Sequence, residues 1–229
     1  MPMQKRLSNS YFLLFTFYFR LFEFSAMKII CIGQNYREHV LEMKGIIPEE
    51  PVFFMKPETA LIRAGLPFFY PSFSDDVHYE VELVLRISRT GKNIQERFAH
   101  RYYKEIGIGI DFTARDIQKK CKERGLPWEK AKAFDGSAPV SSFVALDSLQ
   151  NPGDISFSLH KNGQTVQQGR STDMIFPFDR LVSYISQFVT LKIGDFLFTG
   201  TPSGVGGVAA GDKLEAYLED RKMLQLDIK

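Results

Sequence analysis

The sequence contains few cysteines and no large excess of charge of either sign. Its two cysteines, Cys31 and Cys121, lie far apart without CxxC spacing, so neither a disulfide framework nor a zinc knuckle is indicated. A reducing cytoplasm is therefore the simplest expected setting. The 29 Lys and Arg residues nearly balance the 27 Asp and Glu residues. This balance gives no reason to expect nucleic acid or an acidic membrane surface as a partner.

Long hydrophobic runs are also missing. The strongest candidate, residues 11–19, is shorter than the roughly 20 apolar residues that a membrane-spanning helix needs. Because basic residues precede this run, the N-terminus superficially resembles a signal peptide, but Arg20 and Glu23 interrupt the end of the run. We interpret residues 1–26 as a spurious or unstructured extension, with a true presequence as the alternative.

The remainder of the chain has the composition of one globular domain. Hydrophobic residues make up 44% of the sequence and charged residues 24%, which is typical of a medium-sized domain with a substantial core. We expect this domain to occupy residues 27–229, because a clean apolar strand begins directly after Met27. One locally basic segment, residues 119–124, is short and interrupted, and we interpret it as the solvent-facing side of a helix.

Two carboxylates stand two residues apart in a segment that otherwise reads as a strand. Side chains alternate along a strand, so Glu80 and Glu82 are expected on one face, with Val81 and Leu83 on the other. Two like charges this close repel each other unless a cation lies between them or water surrounds them. A cation-binding face and a solvated strand face are therefore the two alternatives.

A short helix is predicted after the first strand. Asn35 is placed to cap its N-terminus together with Glu38, and Gly45 can close its C-terminus. His39 and Glu42 are three residues apart and are therefore neighbours on the helix surface. The carboxylate can hold one imidazole nitrogen and raise the basicity of the ring. This pair can act as a general base, or it can be an ordinary surface or packing pair.

A third carboxylate, Asp111, follows a second strand at residues 106–110, whose glycines indicate close backbone approach. A helix is predicted directly after it, over residues 114–124, with Thr113 as part of its cap and Gly125 as its end.

Together with Glu80 and Glu82, Asp111 would supply the hard oxygen ligands that Mg²⁺, Mn²⁺ or Ca²⁺ prefer. Open coordination positions would remain for water or for a chelating substrate. Glu-x-Glu with a distant Asp is a weak pattern by itself, so the residues alone leave the metal site open.

Two lysines and a glycine-rich loop complete the set of candidates. Lys132 follows the aromatic Trp128 and, if partly buried, can stabilise a developing oxyanion. Lys56 ends a strand before a proline and can face a cleft, although an ordinary exposed lysine is the alternative at both positions. Residues 200–207 lack the GK[ST] and GxGxxG patterns, so we expect backbone N–H groups that reach a carboxylate rather than a phosphate.

The remaining segments predict two hairpins and one further helix. The Asn-Gly pair within residues 161–164 indicates a type I′ turn, and a second hairpin is expected around residues 219–222. Pro177 opens the helix. Its expected buried face comprises Leu181, Tyr184, Ile185 and Phe188.

Taken together, these motifs resemble the fumarylacetoacetate hydrolase family, specifically its single-domain, acylpyruvase-like branch. The matching segments occur in family order and span residues 27–212. They are Gly33-x-Asn35-Tyr36-x-x-His39-x-x-Glu42, Phe54-x-Lys56-Pro57, His78-Tyr79-Glu80-Val81-Glu82-Leu83, Asp111-Phe112-Thr113-Ala114-Arg115-Asp116-x-Gln118, Gly125-Leu126-Pro127-Trp128-x-x-x-Lys132 and Thr199-Gly200-Thr201-Pro202-x-Gly204-Val205-Gly206.

The resemblance implies an α+β fold, a mixed β-roll with peripheral helices, which usually forms a homodimer. It implies Mg²⁺ or Mn²⁺, with Ca²⁺ as a substitute, held by Glu80, Glu82 and Asp111. His39 and Glu42 would activate water on a lid. The residues implied to contact the substrate are Lys132, which would polarise its carbonyl or enolate, and Arg115, Gln118, Thr201 and Gly200, which would line its pocket.

The implied reaction is metal-dependent hydrolysis of a C–C bond in a 2,4-diketo acid, such as an acylpyruvate or a fumarylpyruvate-like compound, to pyruvate and a carboxylic acid. The same chelate can serve an oxaloacetate decarboxylase or a keto–enol tautomerase or isomerase acting on a 2-oxo acid, which is the alternative within enzymes. A non-catalytic metal-binding module is the alternative from another class. The presence of both His39 and Glu42 weighs against such a module.

Overall fold

The computed structural model describes residues 27–63 and 65–229, so the interpretation of residues 1–26 lies outside the described part of the chain. The strands are β1 Ile29–Gly33, β2 Val52–Lys56, β3 Leu61–Arg63, β4 Val77–Tyr79, β5 Val81–Ile87, β6 Tyr103–Ile110, β7 Thr113–Ala114, β8 Ala138–Val140, β9 Val144–Ala145, β10 Ser156–Lys161, β11 Gln164–Arg170, β12 Phe196–Phe198, β13 Gly206–Gly207, β14 Lys213–Leu218 and β15 Arg221–Asp227. The α-helices are α1 Arg37–Glu42, α2 Arg115–Arg124, α3 Glu129–Lys132 and α4 Phe178–Phe188.

The strands form three sheets. The largest has eight strands in the order β2-β1-β12-β5-β6-β8-β3, with β9 paired to β6. It is mixed, because β1 runs parallel to β12 and β3 runs parallel to β8 while the other pairs are antiparallel. A four-stranded antiparallel sheet has the order β11-β10-β14-β15, and β13-β4-β7 form a small third sheet. The predicted α+β fold with a mixed sheet is confirmed.

Alternation along the strands gives the large sheet two different faces. In β5, Leu83 and Leu85 belong to the main core, which also includes Leu159 and Leu214 of the four-stranded sheet. Val84 lies between these two leucines, points to the opposite face and belongs to a second and smaller apolar cluster. Each aliphatic side chain fully buried in this way contributes about 1.5 to 3 kcal/mol. The main core therefore joins two sheets, and the opposite face of the large sheet is free to carry other groups.

Both predicted hairpins are confirmed. The turn between β10 and β11 consists of Asn162 and Gly163, both with positive φ angles of 53° and 81°, as a type I′ turn requires. The turn between β14 and β15 is shorter than predicted, because Arg221 and Lys222 already belong to β15. Glu219, with φ of 50°, begins this second turn.

The helix predictions succeed at one C-terminus and fail at the other caps. Helix α2 begins one residue later than predicted and is closed by Gly125 as predicted, with φ of 62°. Gly45 does not close α1, which ends at Glu42, and Lys44 rather than Gly45 takes the left-handed conformation, with φ of 53°.

Neither Asn35 nor Thr113 caps a helix: the residues before α1 and α2 are Tyr36 and Ala114, and no side chain caps either helix. Thr113 lies in β7, where pairing with β4 uses its backbone, so the tertiary contact overrides the local capping pattern.

In α4, Leu181, Tyr184 and Ile185 are buried as predicted. The prediction for Phe188 is wrong, since this last residue of the helix is 56% exposed. Its ring lies beside those of Phe53 and Tyr184 at the end of the helix. No helix within the described ranges is long and apolar enough to cross a membrane.

We predict that Gly109→Ala destabilises the fold. A Cβ at position 109 would lie 2.5 Å from the ring of Phe198 and 3.0 Å from the carbonyl oxygen of Pro139. Overpacking of this kind costs about 1 to 3 kcal/mol, measurable as a lower urea midpoint. Gly207→Ala is the matched control, because a Cβ there meets nothing within 4 Å. Equal midpoints for the two variants would contradict the prediction.

Candidate active site

Three buried carboxylates meet where two strands end. Glu80 lies in the break between β4 and β5, Glu82 lies within β5, and Asp111 directly follows β6. The antiparallel pairing of β5 with β6 brings them together, and the N–H of Asp111 donates to the carbonyl oxygen of Glu80 at 2.8 Å. One oxygen from each carboxylate lies within 4.8 Å of the others. We call these three residues the acidic triad.

The triad is buried, so the solvated strand face considered for Glu80 and Glu82 is wrong. The two glutamates are 5% and 1% exposed, and Asp111 is 1% exposed. Burial of carboxylates without compensation is costly, so the surrounding groups must supply positive charge or hydrogen bonds.

Lys132 and Arg115 supply part of that positive charge. Lys132 Nζ lies 2.7 Å from Glu80 Oε2 and 2.8 Å from Asp111 Oδ2, and Arg115 Nη2 lies 2.5 Å from Glu80 Oε1. Burial alone would raise the pKa of Glu80, but Lys132 and Arg115 together hold that pKa well below its usual range. Burial likewise opposes the charge of Lys132, yet Asp111 and Glu80 raise its pKa above the ordinary value. Both groups are therefore charged at neutral pH.

Lys56 is a second buried lysine, and the alternative of an ordinary exposed residue is wrong. It is 2% exposed, and its Nζ lies 2.8 Å from Asp111 Oδ1. Its hydrogen bonds go instead to Ser137 Oγ at 2.9 Å and to backbone oxygens of Ser137, Phe112 and Lys132. Asp111 Oδ1 therefore faces a positive charge but accepts no hydrogen bond.

Glu82 has the least compensated charge of the three. Its Oε2 accepts the backbone N–H of Gly200 at 2.7 Å, and it forms no salt bridge with any described residue. Burial and repulsion from Asp111 raise its pKa well above the usual range, while the Gly200 hydrogen bond opposes that rise. The glycine-rich loop therefore does reach a carboxylate with a backbone N–H group, but that carboxylate is the side chain of Glu82 and not a ligand. Gly200 has φ of 101°, and a Cβ there would lie 2.7 Å from that of Asn35.

Asn35, predicted as a helix cap, connects loops instead. Its Nδ2 donates to the carbonyl oxygens of Thr199 at 2.8 Å and Phe176 at 3.1 Å, and its Oδ1 accepts the N–H of Phe176. A fully buried amide with three partners is better satisfied here than at an exposed cap. The glycine-rich loop is therefore fixed at the point where Gly200 meets Glu82.

His39 and Glu42 of α1 pair as predicted. His39 Nδ1 lies 3.1 Å from Glu42 Oε2, and the histidine is 8% exposed. Glu42 Oε1 also accepts the N–H of Gly204 at 3.1 Å, so the carboxylate ties α1 to the glycine-rich loop. This arrangement leaves the Nε2 atom as the one that can exchange a proton with a ligand.

One cavity collects nearly all of the predicted residues. Its lining includes the acidic triad together with His39, Arg115, Gln118, Lys132 and Thr201. Arg115 Nη1 donates to Gln118 Oε1 at 2.8 Å, and Thr201 Oγ1 accepts a hydrogen bond from Gln167. Gly200 contributes through its backbone bond to Glu82 rather than as part of the lining. We call this space the site cavity.

Comparison with known proteins identifies the family. Residues 28–229 match the family model described as fumarylacetoacetate (FAA) hydrolase C-terminal. The chain belongs to the fumarylacetoacetate hydrolase family. The resemblance inferred from the motifs is confirmed, and it extends through the end of the described chain.

Several members of the family are closely similar to this one. Oxaloacetate tautomerase YcgM of Escherichia coli (strain K12) is 44% identical over 204 residues, 89% of this chain and 93% of that protein. Mitochondrial oxaloacetate tautomerase FAHD1 of Homo sapiens is 40% identical over 82% of this chain and 85% of its own. The crystal structure of fumarylpyruvate hydrolase from Pseudomonas aeruginosa in complex with Mn²⁺ and pyruvate superposes with a TM-score of 0.83 at 35% identity, covering 89% of each chain.

The acidic triad of this family member fits a hard divalent cation. All of its possible ligands are carboxylate oxygens, the donor type that such ions prefer. Glu82 is buried and lacks a cationic partner among the described residues. A bound cation would supply the missing positive charge.

Three contributors to the site were missed or misassigned from the sequence. Gln167 was not singled out because it lies on β11, far along the chain from the triad, yet it is 2% exposed and bonds both Thr201 and the N–H of Val81. Lys56 carried a usable signal, its position before a proline at a strand end. Lys122 is exposed, as predicted for its basic segment, but it also lines the site cavity, which the sequence did not indicate.

We predict that Lys56→Met destabilises the protein strongly. The substitution leaves Asp111 buried with one fewer cation and removes the donor to Ser137, and breaking a buried pair from one side costs about 3 to 5 kcal/mol. Urea unfolding measures the change. Lys104→Met, an exposed lysine in β6, should change stability by no more than about 0.5 kcal/mol. A Lys56→Met variant as stable as this control would contradict the assignment.

Proposed function

We propose that the protein is a Mg²⁺- or Mn²⁺-dependent oxaloacetate keto–enol tautomerase. The observation that carries this proposal is the shared cavity: the base candidate His39, the acidic triad and Lys132 all line it. Tautomerisation of a 2-oxo acid needs a polarised 2-oxo group, a base near C3 and a proton donor near the 2-oxygen. Each requirement has a candidate residue in the cavity.

The acidic triad would hold the cation. Glu80, Glu82 and Asp111 would leave room for the 1-carboxylate and the 2-oxo group of the substrate, and a divalent cation would supply the Lewis acidity that makes the C3 protons more acidic. Ca²⁺ is the expected substitute. Arg115, Gln118 and Thr201 are proposed to fix the orientation of the substrate in the cavity.

His39 is proposed to move the proton. Its Nδ1 is engaged by Glu42, so Nε2 would take a proton from C3 of the keto form. Lys132, whose raised pKa keeps it protonated, would donate a hydrogen bond to the oxygen developing negative charge at C2. His39 would then return the proton to that oxygen, giving the enol. We further propose that α1, tied to the glycine-rich loop through Glu42 and Gly204, acts as a lid.

The relatives support tautomerisation as the first choice over the hydrolysis expected from the motifs. The proteins named oxaloacetate tautomerase in Escherichia coli and Homo sapiens are 44% and 40% identical to this chain. The substrate also determines the chemistry. Oxaloacetate has a carboxylate at C4, which resists attack by water, so a base in this cavity acts on the C3 proton instead.

Hydrolysis of acylpyruvates or of fumarylpyruvate is the second candidate. The P. aeruginosa fumarylpyruvate hydrolase superposes closely on this chain. With a ketone rather than a carboxylate at C4, the same His39 would deprotonate a water molecule that attacks C4. The C3–C4 bond would break and release pyruvate and a carboxylic acid, with Lys132 stabilising the enolate.

Two further expectations stay predictions. A homodimer is proposed from the resemblance to the family, and the half-buried Met27, Leu61 and Phe143 on one face of the large sheet are candidates for its interface. A cytoplasmic location is proposed from the two cysteines, both free and buried.

We predict that the wild-type protein with Mg²⁺ accelerates keto–enol interconversion of oxaloacetate. The reaction is monitored as the loss of enol absorbance. His39→Gln should lower kcat by about 100-fold or more, because general base catalysis contributes at least that factor. Mn²⁺ binding should be unchanged in this variant. His100→Gln, at an exposed histidine remote from the cavity, is the matched control and should retain full activity.

The same preparation separates the alternatives. Acetylpyruvate cleavage and carbon dioxide release from oxaloacetate are measured in parallel with tautomerisation. Cleavage of acetylpyruvate without any acceleration of tautomerisation would replace the first proposal with the second. Release of carbon dioxide at the rate of enol loss would identify a decarboxylase instead.

A further inference from the structure

One cation that lines the site cavity has no anionic partner among the described residues. Arg115 and Lys132 also line the cavity, and each forms a salt bridge with the acidic triad, as does Lys56 outside the lining. The side chain of Lys122 forms no salt bridge or hydrogen bond within residues 27–63 and 65–229. A lysine that faces a cavity in this state has a charge available for a ligand.

The position of Lys122 is defined by α2 and by an aromatic ring. Arg115, Gln118 and Lys122 are spaced by three and four residues, so they lie along one face of α2 and all reach the cavity. Lys122 Nζ lies 5.5 Å from the centre of the Trp128 ring, within the range of a cation–π contact. The neighbouring Lys119 is exposed and is not part of the cavity lining.

The electrostatics around Lys122 differ from those around the other cations. Lys122 is exposed at the cavity rim, where partial desolvation and the nearby Arg115 lower its pKa, whereas the carboxylates of the triad raise the pKa of Lys132. The guanidinium of Arg115 already donates hydrogen bonds to Glu80 and Gln118. An anionic group entering the cavity away from the triad would therefore meet Lys122 as the cation without a carboxylate.

We propose that Lys122 binds the second carboxylate of a dicarboxylic 2-oxo acid and thereby selects such substrates over those with a neutral group at C4. The proposal rests on the proposed function, because the first carboxylate and the 2-oxo group are assigned to the cation held by the triad. Because the first carboxylate and the 2-oxo group would occupy the positions at that cation, the second carboxylate lies toward the rim formed by α2 and Trp128. Lys122 is a specificity residue and takes no part in proton transfer.

The test uses a natural reporter. Trp128 is the single tryptophan of the sequence, and its ring contacts Lys122, so its fluorescence reports ligand binding at this rim. The wild-type protein in Mg²⁺ is titrated with oxaloacetate and with 2-oxobutanoate, which has a methyl group in place of the second carboxylate. Isothermal titration calorimetry repeats the comparison without dependence on the fluorophore.

We predict that wild-type protein binds oxaloacetate about tenfold or more tightly than 2-oxobutanoate, the factor expected for a hydrogen bond to a charged group. Lys122→Met should abolish this preference by weakening oxaloacetate binding alone. Lys122→Arg should keep it. Lys119→Met, at an exposed lysine of the same helix that does not line the cavity, is the matched control and should behave as wild type.

A preference that survives in Lys122→Met would overturn the inference, and so would an equal loss of affinity for both ligands. The role of Lys122 and the tautomerase activity can be refuted separately. A wild-type protein that shows the binding preference, lost in Lys122→Met, but does not tautomerise oxaloacetate would refute the tautomerase and support the role of Lys122. Tautomerisation with the preference unchanged in Lys122→Met would refute only the role of Lys122.

Discussion

Three carboxylates buried within 4.8 Å of one another need compensating positive charge, and much of the site is arranged to meet that need. Lys132 bridges Glu80 and Asp111, and Lys56 approaches Asp111 from the other side. Glu82 receives only a backbone N–H. The compensation is thus uneven, since one carboxylate has no cation among the described residues. An uneven arrangement of this kind is well suited to a divalent ion and poorly suited to stability without one.

The fold meets this constraint with backbone features as much as with side chains. The break between β4 and β5 lets Glu80 and Glu82 face the same cavity although only Glu82 lies within a strand. Gly109, opposite Glu82 in β6, leaves room for the ring of Phe198. The triad lies where the central strands β5 and β6 of the large sheet meet, whereas His39 lies on the short helix α1, which Glu42 ties to the glycine-rich loop. The proposed metal ligands and the proposed base therefore belong to different elements of the fold.

Much of the site followed from local sequence pattern. The alternation of side chains along a strand predicted that Glu80 and Glu82 share a face. The i,i+3 spacing on a helix predicted that His39 and Glu42 are neighbours. What failed depended on contacts between distant parts of the chain. Asn35 has a capping side chain, yet Thr199 and Phe176 satisfy it better than a helix end does. Lys122 is exposed, as its basic run predicts, but its additional place in the cavity lining beside Trp128 could not be read from that run.

The central claim, that the acidic triad binds one divalent cation, is tested most directly by Mn²⁺ titration of chelator-treated protein, with free Mn²⁺ measured by electron paramagnetic resonance. One Mn²⁺ is expected to bind per wild-type chain. Severe loss of affinity is expected in Glu82→Gln, whose amide oxygen can still accept the Gly200 N–H and preserve the fold. Absence of Mn²⁺ binding by the wild type, or unchanged affinity in a folded Glu82→Gln variant, would contradict the claim.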